Sequence, residues 1–313
     1  MSEASSAGSA GVDGQRIVLG VTHSALDFEM PRQACDCHVH VMGSAPRYPY
    51  AADRVYTPGV AEPENLIAHQ RVLSLGRVVL VQASPFGTDN SCMIDGMRHI
   101  ESAARAVAVI DEQTSDDALR QMHAAGVHGV RVNLETFGQS DPSASLKALQ
   151  WAARRVAPLG WHVQTYTNLS VIAALQKDMR ALPVVLVFDH FGRAQAAKGP
   201  AQPGFDALLA LVNSGKAYVK ISAPHRISSQ PDFADAAPLA RALIAANADR
   251  ILWGSDWPHT MGAPPGGRRD PRIVEPFRPI DDGSALNRLH GWTRDRIEFE
   301  KILVHNPARL YDY

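Results

Sequence analysis

The chain has 313 residues, 45% hydrophobic and 20% charged, enough to bury a large core. Its 31 basic and 32 acidic residues leave a formal charge of -1, which excludes an overall electrostatic grip on nucleic acid or an anionic membrane. The odd cysteine count (Cys35, Cys37 and Cys92) excludes a disulfide scaffold and points to a reducing cytoplasm. No secretory pattern opens the sequence, and no run approaches the roughly 18 apolar residues that span a bilayer.

In chain order, residues 1–13 are rich in Ser, Ala and Gly, and the region up to about residue 30 reads as a flexible N-terminal tail. From residue 31 to 313, short apolar runs alternate with amphipathic stretches. Strands are expected at 34–41, 77–84, 104–110, 129–133, 161–166, 183–189, 217–222 and 251–254. Helices are expected near 63–75, 90–103, 115–125, 144–157, 168–181, 204–214, 233–247 and 294–303. Ser115-Asp116-Asp117 supplies a cap and first-turn acids, Gly126 a stop, and Asn306-Pro307 the cap and first position of a last turn. Eight such strands separated by helices predict a single-domain α/β fold, a (β/α)8 barrel of the TIM type. The open doubly wound sheet is the alternative, but no strand end carries a glycine-rich phosphate loop. Residues 261–294, rich in Gly, Pro and charge, read as a long loop serving as lid or entrance.

Barrels place catalytic groups where strands end. The first strand ends His38-Val39-His40, whose spacing puts both imidazoles on one face. The fourth ends Arg131-Val132-Asn133, the fifth at Tyr166, the sixth at Asp189-His190, and the eighth at Gly254-Ser255-Asp256-Trp257-Pro258-His259. A lone HxH is weak. Two histidines on strand one, His190 after strand six and Asp256 after strand eight together define a candidate active site. Lys220, on strand seven, is read as a possible buried ion partner.

These motifs, with Val81-Gln82-Ala83-Ser84, Gly129-Val130-Arg131-Val132-Asn133, Gly160-Trp161-His162-Val163, Asp189-His190-Phe191-Gly192-Arg193 and Asn306-Pro307-Ala308-Arg309-Leu310-Tyr311, strongly resemble the amidohydrolase superfamily. Within its amidohydrolase 2 branch the likeness is to 2-pyrone-4,6-dicarboxylate lactonases and related lactonases, from about residue 30 to the end. Binuclear members carry a carboxylated lysine on strand four and a histidine on strand five; here those strands end in Arg131/Asn133 and Tyr166, which excludes a bridged metal pair. The resemblance implies catalysis without a cofactor, the alternative being one Zn2+ on His38, His40, His190 and Asp256.

It further implies opening of an anionic lactone, carboxylated or sulfonated, as in aromatic catabolism. Asp256 would take the proton of the attacking water, while His38, His40 and His190 polarise the carbonyl. Arg131 and Arg226 would clamp substrate carboxylates, with Ser84, Tyr56 and Tyr166 as further donors. His128 stands where these lactonases carry a further arginine, which leaves room for a differently substituted lactone. Isomerisation of a sugar-acid lactone and zinc-dependent decarboxylation are the competing activities. The expected partner is a small molecule, with no nucleic acid or membrane, for a cytoplasmic monomer or small homo-oligomer.

Overall fold

Along residues 77–81 the side chains alternate between two burial environments: Val78 and Leu80 pack outward against helices, Val79 and Val81 inward. That double burial is what a closed barrel of parallel strands requires. The computed structural model describes residues 16–100, 103–136, 138–262 and 268–313. Eight parallel strands form one sheet in chain order: β1 (Cys35–Val39), β2 (Arg77–Val81), β3 (Ala103–Ala108), β4 (Val127–Asn133), β5 (His162–Tyr166), β6 (Leu186–Phe188), β7 (Ala217–Lys220) and β8 (Ile251–Leu252). The barrel closes where the chain after β8 meets β1. His40 N donates to Trp257 O (2.8 Å), Cys37 N to Trp253 O (3.0 Å) and Asp256 N to His38 O (2.9 Å). Inside, Cys35, Cys37, Val79, Val107, Val187 and Leu252 pack on Tyr311.

The helices follow the predicted order: α1 (Pro63–Leu73), α2 (Ser91–His99), α3 (Asp116–Ala125), α4 (Pro142–Val156), α5 (Leu169–Ala181), α6 (Phe205–Asn213) and α7 (Ala237–Asn247). Ser115 Oγ accepts from Ala118 N at 3.1 Å to start α3, and Gly126, at φ 103°, stops it. At the C-terminus come α8 (Asp282–Trp292), α9 (Arg296–Glu300), a π-turn and α10 (Asn306–Tyr311). Asn306 does not cap α10. It is the first residue, and its amide donates to Ala248 O and Ile251 O, both at 2.8 Å, fastening α10 beneath β8.

Two expectations change. Residues 261–294 are not all loop, because α8 occupies their second half, capped by Asp281, whose carboxylate accepts from Ser284 N at 3.1 Å; residues 263–267 of the expected lid lie outside the described residues. The predicted tail at 1–13 also lies outside them, but 16–30 is structured. Ile17–Val18 and Val21–Thr22 form a short hairpin, and Ser24 N donates to Asp281 at 2.8 Å. Among the described residues, no helix is long and apolar enough to cross a membrane.

The N-terminal segment, α1, α8 and the loop after β8 meet at buried Asp282. Its Oδ2 accepts from His69 Nε2 (2.9 Å) and His259 Nε2 (2.8 Å), and its backbone N donates to His23 Nδ1 (3.1 Å). Burial would raise this carboxyl, but His259 and His69 outweigh it and hold it below the usual carboxylate range. Its stabilising effect is therefore complete above about pH 4 and lost as pH falls below that. Asp282→Ala, measured by denaturant unfolding, should cost about 3 kcal/mol at neutral pH and less at low pH. An unchanged midpoint would show that the four elements are held by packing alone.

Candidate active site

His38 and His40 leave the end of β1 on the face turned to the barrel mouth, as their spacing predicts. Asp256 arrives from the segment that closes the barrel, and His190 from the turn after β6. The three imidazoles present Nε2 to one carboxylate oxygen: His38, His40 and His190 Nε2 lie 3.6, 3.6 and 3.5 Å from Asp256 Oδ1. All four side chains are buried. The predicted set is brought together.

The other ring nitrogens point outward to fixed partners. His40 Nδ1 meets Val81 O at 2.7 Å, and a carbonyl can only accept, so Nδ1 carries a proton and donates it there. His190 Nδ1 bonds Ser222 Oγ at 2.8 Å, and His38 Nδ1 faces Asp189 Oδ1 at 3.3 Å. Burial lowers the His38 imidazole to about 3 against the opposing pull of Asp189, and lowers His190 well below the usual value. Both rings are neutral near pH 7.

Asp256 has two differently occupied oxygens. While Oδ1 faces the imidazoles, Oδ2 receives Arg226 Nε at 2.7 Å and its terminal nitrogen at 2.6 Å, with His225 Nε2 at 3.7 Å. Burial would raise the carboxyl, but Arg226, then His190, His225 and His40, hold it well below the usual range. Asp256 is ionised throughout the neutral range.

Sequence reasoning left Asp189 and Asp36 without roles and read Lys220 only as a buried ion partner. Asp189 accepts from Arg131 Nε at 3.1 Å as well as facing His38. Its place beside His190 was the available signal. Lys220 Nζ, lowered to about 8 mainly by burial, donates to Gln164 at 2.7 Å and lies 3.4 Å from His38 Nδ1. Asp36, two residues before His38, accepts from His38 N (3.1 Å) and Ser255 N (2.9 Å), tying both ends of the closure; burial raises it to about 6. Left-handed backbone collects here, at His190 (φ 46°), Arg193 (φ 60°), Asp256 (φ 70°) and His259 (φ 67°). Such conformations cost about 1–3 kcal/mol each and persist where surroundings impose them.

The predicted substrate residues are placed unevenly. Tyr166 and Arg226 line a cavity of about 370 Å³ at the barrel mouth, together with Glu135, Arg193, Arg269 and Arg278. Arg131 and Arg226 both already hold internal carboxylates. Ser84 accepts from Asn133 at 2.8 Å, and Tyr56 is covered by the Arg269 guanidinium at 3.4 Å from its ring centre. His128 is not brought to the site: it is the second residue of β4, at the opposite end of the strand from Asn133, beside His123.

Gly254 sets the closeness of β8 to the histidines. A Cβ there would lie 2.7 Å from His38 Cβ and 2.8 Å from His38 N. Gly254→Ala should push β1 aside, cost about 1–3 kcal/mol and lower kcat more than it raises KM. Steady-state kinetics beside thermal unfolding checks this; an unaltered kcat would mean that the His38 position is not critical.

A family model described as amidohydrolase matches residues 35–313. The chain is 34% identical to a 2-pyrone-4,6-dicarboxylate hydrolase of Comamonas testosteroni, over 92% of this chain and 93% of that one. It is 31% identical to a 4-sulfomuconolactone hydrolase of Hydrogenophaga intermedia, over 94% of each. A crystal structure from Acinetobacter baumannii, of a probable 2-pyrone-4,6-dicarboxylic acid hydrolase with citric acid bound, superposes with a TM-score of 0.73 at 25% identity, covering 90% of this chain and all of that one.

The expectation of no cofactor is overturned. His38, His40 and Asp256, and likewise His38, Asp189 and His190, hold ligand atoms within 4.8 Å of one another. An amidohydrolase from Burkholderia multivorans that shares the fold (TM-score 0.62, 16% identity, 89% of this chain and 99% of that one) was solved with zinc bound. The donor chemistry here fits such an ion. The three Nε2 atoms converge on Asp256 Oδ1, and buried His38 Nε2 has no hydrogen-bond partner. Separations of 3.5–3.6 Å are near the edge of about 3.3 Å expected between ligands of a tetrahedral Zn2+. Outward Nδ1 partners are the arrangement that orients metal-binding imidazoles. The sequence offered one Zn2+ on these residues only as the alternative, because it shows the ligand types but not how their nitrogens converge.

Proposed function

The chain belongs to the amidohydrolase family, and from that premise we propose that it hydrolyses an anionic lactone of the carboxylated or sulfonated kind that its relatives are named for. The observation that carries this is the convergence of three imidazoles on Asp256, which is joined through Arg226 and His225 to a cavity lined by four guanidiniums, Arg193, Arg226, Arg269 and Arg278. Acid–base groups beside the cavity suit a carbonyl, and cations on its wall suit an acidic substituent.

His38, His40, His190 and Asp256 are the residues that would hold a divalent ion, which when bound supplies Lewis-acid polarisation and a more acidic water. Asp256, already ionised, accepts the proton of the water whose oxygen bonds to the lactone carbonyl carbon. The ring C–O bond breaks, and the same carboxyl returns the proton to the leaving oxygen, giving a carboxylate and an alcohol or enol. Arg226 keeps Asp256 charged and in place, and its position on the cavity wall supports substrate contact as well. Tyr166, edge-on to His190, brings a phenol to the same wall. Arg131 serves through Asp189 and His38, while Tyr56 supports the wall residue Arg269. The three free, buried cysteines support a cytoplasmic setting.

A panel of acidic lactones at neutral pH, with and without chelator, tests the reading. Saturable opening of 2-pyrone-4,6-dicarboxylate or 4-sulfomuconolactone, suppressed by chelator, is expected. Failure to open any acidic lactone after metal loading would overturn it.

A further inference from the structure

We propose that Arg278 receives the anionic substituent of the substrate and so sets which acidic lactones are accepted, an inference that rests on the lactonase reading above.

Charge at the cavity is unevenly balanced. Arg226 is matched by Asp256, Arg193 by Glu135 (3.1 Å) and Arg269 by Glu275, which it grips through two nitrogens. Among the described residues Arg278 has no carboxylate partner, and its buried Nε has no hydrogen-bond acceptor. Of the described residues lining the cavity, only Glu135 carries a carboxylate, and Arg193 occupies it. Burial, then the neighbouring Arg226 and Arg269 cations, lower the Arg278 guanidinium from its usual value. A partly desolvated cation crowded by like charges is relieved by an incoming anion. A carboxylate or sulfonate presents acceptor oxygens spaced for the guanidinium fork.

The position is also prepared. Arg278 N donates to His259 O at 2.8 Å, and His259 is itself held to Asp282 at 2.8 Å. The backbone carrying Arg278 is thus fastened to the segment that delivers Asp256, since His259 N donates to Asp256 O at 2.8 Å. His259 therefore links Asp256 to the free cation through two backbone hydrogen bonds. A substrate with its carbonyl near Asp256 would extend its anionic group toward Arg278.

The test uses the metal-loaded full chain as wild type, Arg278→Met and Arg278→Lys, with thermal unfolding to confirm the fold. Kinetics are measured with 2-pyrone-4,6-dicarboxylate and with its dimethyl ester, and citrate binding is measured by calorimetry. Arg278→Met should raise KM for the dicarboxylate about tenfold or more, the scale of a charge-assisted hydrogen bond. The value of kcat and the KM for the diester should stay within about threefold, and Arg278→Lys should recover part of the loss. Citrate affinity should fall in parallel. Equal dicarboxylate KM and equal citrate affinity in Arg278→Met and wild type would overturn the assignment. If wild type opens neither compound, the lactonase reading fails separately, and citrate affinity alone decides whether Arg278 is the anion site.

Discussion

Asp256→Asn should lower kcat for lactone opening by about a thousandfold while leaving KM within a few-fold, the scale expected for removing a positioned general base. Asparagine matches the shape of aspartate and can still accept from Arg226, whose nitrogens lie 2.6 and 2.7 Å from Oδ2. It cannot take a proton from water. The pH dependence sharpens the expectation. Arg226 and the surrounding imidazoles overcome the effect of burial and hold the wild-type carboxyl well below its ordinary value. Activity should therefore show no acid limb from Asp256 near pH 4–5, where an unperturbed carboxyl would begin to protonate. The same carboxylate stabilises the fold above about pH 4, and that contribution falls away only as pH drops further. Steady-state rates, with circular dichroism to confirm folding, provide the check. Near-normal kcat in the variant would remove Asp256 as the base.

The second large effect concerns the ion. Zinc should bind at about one equivalent per chain, stabilising the fold by about 2.7 kcal/mol when free metal is a hundredfold above Kd. His38→Ala and His190→Ala should each weaken binding at least a hundredfold, since each removes one of the converging Nε2 atoms. Competition with a coloured chelator reads this without any need for turnover. A control is available in the second buried group, His23, His69 and Asp282, whose ligand atoms also lie within 4.8 Å of one another. There, His69 is bonded directly to Asp282 at 2.9 Å, so an ion has less to gain. Loss of zinc from His23→Ala, with His38→Ala unaffected, would put the metal at the wrong cluster.

Much of the architecture was legible in the chain. Strands buried on both faces leave runs such as Arg77–Val81, and every expected strand forms within a few residues of its place. The four central residues were legible too, because strand ends are where a barrel gathers polar side chains. What escaped depends on contacts across long sequence separations. Arg131 and Arg226 look like free cations in sequence, yet Asp189 and Asp256 claim them from 58 and 30 residues away. α8 hides in a stretch rich in Gly, Pro and charge because its support comes from the other end of the chain: Gly283 leaves room for the backbone of Ser24, which a Cβ would meet at 2.1 Å. His128 lies five residues before Asn133 on β4, which holds it at the far end of the barrel whatever its side-chain type suggests. Arg278 had no local signal at all. The missing strand-four lysine told against a metal pair, but the contacts that orient the three rings for a single ion, with Val81 O, Ser222 and Asp189, are displayed by no motif.

The central claim is that Asp256 directs water, rather than a substrate hydroxyl, at a lactone carbonyl. It is tested most directly by running the reaction of the metal-loaded wild-type chain in water enriched in heavy oxygen and weighing the product. One heavy oxygen in the newly formed carboxylate, absent from unreacted lactone, is the predicted result. Turnover that yields an unlabelled, isomeric lactone would contradict it.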